Sequence, residues 1–135
     1  MKRYNLVMVL NQDESKVLMC YRSKNPYKGL YNLVGGKIDH GEEDLISAYR
    51  ELFEETGIGK DQITLKPLMD YKWHPVNMKM IVYVGVLNKD VQLVEEVNRL
   101  EWIDFNSNFF DMKVYAGEGN IGHMVEIFNQ TKHLL

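Results

Sequence analysis

Three glutamates, Glu51, Glu54 and Glu55, crowd one short stretch of a segment that reads as a helix over residues 43 to 56. Placed about 100 degrees apart along that helix, Leu45, Ile46, Tyr49, Leu52, Phe53 and Thr56 gather on one arc, the expected core face. The opposite arc holds Ser47, Arg50, Glu51, Glu54 and Glu55, so three carboxylates are expected on one exposed side. Glu51 stands at i,i+4 to Glu55 and i,i+3 to Glu54, and such like-charge pairs each cost a helix about 0.2 to 0.5 kcal/mol. A divalent cation reverses that sign, because a hard ion takes carboxylate, water and phosphate oxygens. Arg50 can pair with Glu54 at i,i+4 and hold a carboxylate in position. A solvated helix face looks the same in isolation, so the flanking residues decide between the two.

Outward from the helix the chain reads Gly36, five residues, Glu42, seven residues, then Arg50-Glu51-Leu52-Phe53-Glu54-Glu55-Thr56-Gly57-Ile58. This resembles the signature of the Nudix hydrolase family, G-x5-E-x7-R-E-U-x-E-E-x-G-U with U aliphatic, at every fixed position. At average residue abundances, a chance match has odds of roughly one in 10^7. The resemblance implies Mg2+, with Mn2+ as the other candidate, and water attacking a bridging diphosphate. It implies Glu54 and Glu55 as metal ligands and Glu51 as a further ligand or as the base that deprotonates water. Arg50 would orient a carboxylate, Glu42 would brace the loop before the helix, and the Gly35 carbonyl would also reach the metal. MutT-like members recruit one more glutamate from a later loop, for which Glu96 is favoured over Glu95. Gly57 is the expected left-handed cap of the helix.

The segment from Gly29 to Lys37 is similar to the same region of oxidised-purine nucleoside triphosphatases, where an Asn ahead of Gly-Gly-Lys contacts the base. Asn32 holds that position, and its amide can both donate to and accept from a purine edge. Lys37, Arg22 and Lys24 are candidate phosphate cations; Tyr31, Trp73 and Phe109 are candidates to stack on a base or to fill the core. The paired aspartates of that class have no evident counterpart here. Glu118 or Asn120 can substitute as a polar reader, or the stretch is a plain loop with Asn120 capping the last helix. The expected substrate is a nucleotide, first an oxidised-purine triphosphate such as 8-oxo-dGTP, cleaved to monophosphate and pyrophosphate. One rival is an ADP-ribose, NADH or nucleotide-sugar diphosphatase, with Pro75 offset from the position some of those carry. Another is a non-catalytic module that binds a nucleotide for regulation, which fits poorly with an intact set of carboxylates.

The elements that must position these groups follow from pattern. Residues 4 to 10 and 16 to 22 read as strands joined in a hairpin by 11 to 15, and 23 to 30 as a loop. Residues 31 to 34 read as a short strand, 62 to 73 and 78 to 87 as two more, 100 to 104 as another, and 121 to 134 as a closing helix. With 135 residues and no repeat or linker, one domain over 1–135 is expected, of α+β class. The resemblance implies the Nudix α/β/α sandwich around a mixed central sheet. A net charge of -3 argues against a nucleic-acid polymer or an anionic membrane held by charge. No apolar run reaches the length of a membrane span, and Cys20, the one cysteine, allows no internal disulfide. A reducing, cytoplasmic setting and a monomer or homodimer are expected. His40, His74, His123 and His133 show no ligand spacing.

Overall fold

The computed structural model describes residues 1–135. Six strands form one mixed sheet: β1 (Lys2–Leu10), β2 (Lys16–Tyr21), β3 (Tyr31–Lys37), β4 (Lys66–Trp73), β5 (Met78–Val86) and β6 (Arg99–Asp104). Their spatial order is β4-β5-β1-β3-β2-β6. β1 and β5 run parallel, in register from Lys2 with Met78 to Leu10 with Val86, and the other ladders are antiparallel. Helices α1 (Asp44–Thr56) and α2 (Asn120–Thr131) cover opposite faces. No helix is long and apolar enough to cross a membrane.

β1 shows why the sheet needs both covers. Leu6, Met8 and Leu10 join Ile121, Met124 and Phe128 in one core, while Val7 and Val9 join Ala48 and Leu52 in the other. A strand buried on both faces carries a continuous apolar run rather than alternation, and Val7 to Leu10 have no exposed surface.

The hairpin expected at residues 11 to 15 forms only at its base. The Asn11 N–H donates to the Lys16 carbonyl and Leu10 pairs with Val17, after which the strands fork and β3 enters between them. Each strand thereby gains a ladder, β1 through Tyr4 to Val7 and β2 through Met19 to Tyr21. β3 also runs through the glycine pair instead of ending at Val34, with Gly35 opposite Leu6 and Gly36 opposite Asn5.

The buried face of α1 differs from the expected arc. Ser47, Ala48, Leu52 and Thr56 are buried, whereas Ile46 is 50% and Phe53 60% exposed. Small residues let the helix axis approach the sheet closely, and that rotation turns Glu51 and Glu55 toward the sheet with Glu54 left outside. Gly57 ends the helix at φ 80°, its N–H donating to the Phe53 carbonyl, as the sequence led us to expect.

Candidate active site

The site forms where α1 passes the glycine pair of β3. Asn5, only 1% exposed, ties three elements together: its Nδ2 donates to Ser47 Oγ at 2.9 Å and its Oδ1 accepts the Gly36 N–H at 3.0 Å. Both glycines are required by close approach. A Cβ on Gly35, at φ 149°, would overlap the Asn5 carbonyl oxygen. One on Gly36 would come within 2.5 Å of the Glu51 carboxyl carbon. The glycine pair is thus a cradle for a carboxylate rather than only a turn.

Arg50 organises the acidic groups. Its Nε and Nη2 grip Glu42 as a fork at 2.7 and 2.9 Å, its Nη1 donates to Glu51 and Glu54 at 3.1 Å each, and Nη2 also reaches the Lys37 carbonyl at 3.3 Å. The guanidinium holds the Glu42 carboxyl down to about 2, and Glu42 also accepts the Asp39 N–H, which braces the loop into α1. Glu51 is raised by burial, with the Arg50 charge opposing. Glu55 is pushed up to about 7 by burial and then by the charge of Glu51.

The three helix carboxylates do not share one exposed side, which corrects the sequence expectation. Glu51 lies against Gly36, Glu54 is in solvent beside Arg50, and Glu55 lines a cavity of about 410 Å³ with Gly35, Gly36, Arg22 and Asn32. As placed, no three acidic, histidine or cysteine side chains are gathered closely enough to enclose an ion by themselves. The donor chemistry nonetheless suits Mg2+, which takes one or two carboxylates and completes its shell with carbonyl, water and phosphate oxygens. Glu51, Glu54, Glu55 and the Gly35 carbonyl supply only oxygens, and the burial of Glu55, which the Gly35 N–H and the Arg22 charge offset only in part, is what a cation would relieve.

The remaining candidates divide. The Glu95 carboxylate accepts the Leu100 N–H at 2.6 Å, while Glu96 shares a shallow depression with Phe53, Glu54 and Val94. Asn32 and Asn120 both line a second, smaller apolar cavity of about 80 Å³ with Tyr71, Trp73, Met78 and Met80. Gly119 occupies the cap position of α2, which leaves Asn120 inside the helix and facing the Tyr71 hydroxyl. Glu118 accepts a hydrogen bond from the Tyr27 hydroxyl at 2.8 Å. Tyr31 is stacked edge-on to Tyr21 with its hydroxyl near Arg99, and it lines neither cavity. Phe109 is core, and the Lys37 side chain is exposed at the end of β3. Sequence reasoning missed Asn5, Tyr27 and Tyr71 as parts of the site. A single amide inside the apolar run of β1 was the available signal for Asn5.

Cys20 also lines the larger cavity, and burial followed by the charge of Glu55 pushes its thiol up to about 11. The folded chain therefore holds this proton more tightly than the unfolded chain, whose thiol titrates near 9.0. That contribution to stability is complete below pH 9.0 and is lost as the pH rises toward 11. At pH 8.5 iodoacetamide should alkylate the folded protein about a hundredfold more slowly than the urea-unfolded chain, since only the thiolate reacts. Equal rates would contradict the burial.

Comparisons with known proteins agree with this architecture. A family model described as NUDIX domain matches residues 1–121. An ADP-ribose pyrophosphatase of Methanocaldococcus jannaschii is 27% identical over 101 residues, 71% of this chain, and the chain spans 59% of that relative's length. Among solved structures, a MutT NUDIX hydrolase from Burkholderia pseudomallei superposes with a TM-score of 0.68 at 18% identity, covering 93% of this chain and 95% of that one. The NUDIX domain of Shewanella oneidensis NrtR, solved with ADP ribose, gives 0.73 at 17% identity over 96% of this chain and 87% of its own. The matched residues take in all six strands, the glutamate helix and the first two residues of α2, and on that extent of agreement the chain belongs to the NUDIX domain family.

Proposed function

We propose that this protein hydrolyses a diphosphate linkage in a nucleoside diphosphate derivative, with Mg2+ or Mn2+ as the metal. The observation that carries the reading is the meeting of Glu55 and the Gly35-Gly36 backbone at a cavity that adjoins a second, apolar one, with the Glu51 carboxylate packed against Gly36. The bound metal would lower the pKa of a water and offset charge on the phosphate oxygens. Glu54, Glu55, Glu51 and the Gly35 carbonyl would hold it, with Glu96, which lines the same depression as Glu54, as a further candidate. Arg50 and Glu42 fix the carboxylates and the loop that carries them. Arg22, on the cavity wall, is the cation best placed to meet a phosphate. Asn32 and Asn120 present amides to the apolar cavity, where a base edge has both donors and acceptors to satisfy.

The finer reading is an oxidised-purine nucleoside triphosphate, cleaved to monophosphate and pyrophosphate, and the two asparagines on the apolar cavity support it. A second reading, ADP-ribose as substrate, is favoured by the curated relative of that activity. Incubation with 8-oxo-dGTP, dGTP, ADP-ribose, NADH and a nucleotide sugar in Mg2+, with products resolved by chromatography, separates them. Pyrophosphate release, fastest from 8-oxo-dGTP, is expected. Cleavage of ADP-ribose alone would replace the first reading with the second, and no cleavage of any compound would remove the hydrolase proposal.

A further inference from the structure

The larger and smaller cavities are neighbours, sharing Leu6, Tyr27, Asn32, Met78 and Met80 as common wall. Four of these sit on β1, β3 and β5, held by the sheet ladders. Tyr27 alone comes from a loop, and its hydroxyl donates across the fold to Glu118 Oε2 at 2.8 Å. Both partners hold left-handed backbone, Tyr27 at φ 67° and Glu118 at φ 53°, a conformation that non-glycine residues adopt rarely and at a cost. Gly117 and Gly119 flank Glu118 at φ 87° and 88°, so the whole 117 to 119 segment is left-handed. The hydrogen bond therefore joins two distant loops over a partition.

The size of the two compartments gives that partition a consequence. Ligand sites span roughly 300 to 1,000 Å³. The apolar compartment, at about 80 Å³, falls below this range by itself, while the compartment holding Glu55, at about 410 Å³, lies within it. A ligand that keeps its phosphates near Glu55 and places a ring among Tyr71, Trp73 and Asn120 must cross the common wall, of which Tyr27 is the one part not fixed by the sheet. Glu118 offers only acceptor atoms when charged, so an entering N–H donor can take over the position of the Tyr27 hydroxyl.

We propose that the Tyr27–Glu118 hydrogen bond is a specificity clasp, which a nucleobase must displace to enter the apolar compartment and which a base-free sugar phosphate leaves closed. This rests on reading the cleft as a nucleotide site. The clasp opposes binding by the worth of one exposed hydrogen bond and selects ligands whose ring repays it. Such a bond corresponds to about a three- to tenfold change in affinity.

The test titrates AMP, GMP and ribose 5-phosphate, none of which contains a diphosphate, into wild-type protein, Tyr27→Phe and Glu118→Ala in Mg2+ buffer. The Trp73 indole N–H resonance is followed, assigned with a Trp102→Phe sample. Tyr27→Phe should bind the better of the two mononucleotides about three- to tenfold more tightly than wild type, with the Trp73 resonance shifting, while ribose 5-phosphate affinity stays the same. Glu118→Ala, which loses the acceptor for the entering N–H along with the clasp, should gain less. Unchanged or weakened mononucleotide binding in Tyr27→Phe overturns the clasp, as does a Trp73 resonance that no mononucleotide moves. Tighter mononucleotide binding without hydrolysis of any diphosphate compound would keep the clasp and sink the hydrolase reading. Hydrolysis with unaltered affinities would do the reverse.

Discussion

Glu54→Gln should lower kcat with Mg2+ by about a thousandfold or more while leaving the far-UV circular dichroism and the thermal midpoint of the metal-free protein close to wild type. Glu54 is exposed, and its one protein partner is Arg50, which keeps Glu42 and Glu51, so the fold loses little. An amide keeps the shape of the carboxylate but neither its charge nor its full capacity to bind a hard cation. Losing a group that only supports a metal ligand already costs about ten- to a hundredfold, so losing a ligand should cost more. The check is single-substrate kinetics, together with a Mg2+-induced rise in thermal midpoint that the variant lacks. Wild-type turnover by the variant would remove Glu54 from the metal site.

Asn5→Leu should be damaging for a different reason. Leucine keeps the branched outline though with greater bulk, and it leaves the Gly36 N–H and the fully buried Ser47 hydroxyl without their present partners. One buried and one half-buried group together cost about 2 to 4 kcal/mol, which for a domain of this size lowers the thermal midpoint by roughly 10 °C. Because Gly36 lies against the Glu51 carboxylate, activity should fall further than the folded fraction. Calorimetry alongside kcat, both on the folded population, measures this. A midpoint within a degree or two of wild type would show that Asn5 is not the anchor we describe, and Asn5→Ser, which retains one polar atom, should recover part of the loss.

The chemistry of α1 was legible in the sequence because it is local. Carboxylate spacing, the preceding glycine and the capping Gly57 all fall within one short segment, and helix periodicity relates them directly. The orientation of α1 was not, because hydrophobicity assigned Phe53 and Ile46 to the core. Close approach to the sheet instead selected the small Ser47 and Ala48 for the buried side, swinging the phenyl ring outward. The strands were found with modest errors at their ends, but not their neighbours. Nothing within residues 4 to 22 shows that β3 will enter between the first two strands, since pairing is decided by a partner that lies later in the chain. Likewise Tyr27 and Glu118 stand 91 positions apart, and only the folded chain brings them together.

The parallel pairing of β1 with β5 has a bearing on biosynthesis. β1 leaves the ribosome before β5, yet its ladder runs from Lys2 with Met78 to Leu10 with Val86. Until residues 78 to 86 are translated, a strand whose residues 5 to 10 are all buried in the finished fold has one flank without a hydrogen-bonding neighbour, the condition in which nascent chains associate with one another. Fragments stopping short of Met78 should accumulate as insoluble material, whereas those extending past Val86 should be recovered in part from the soluble fraction.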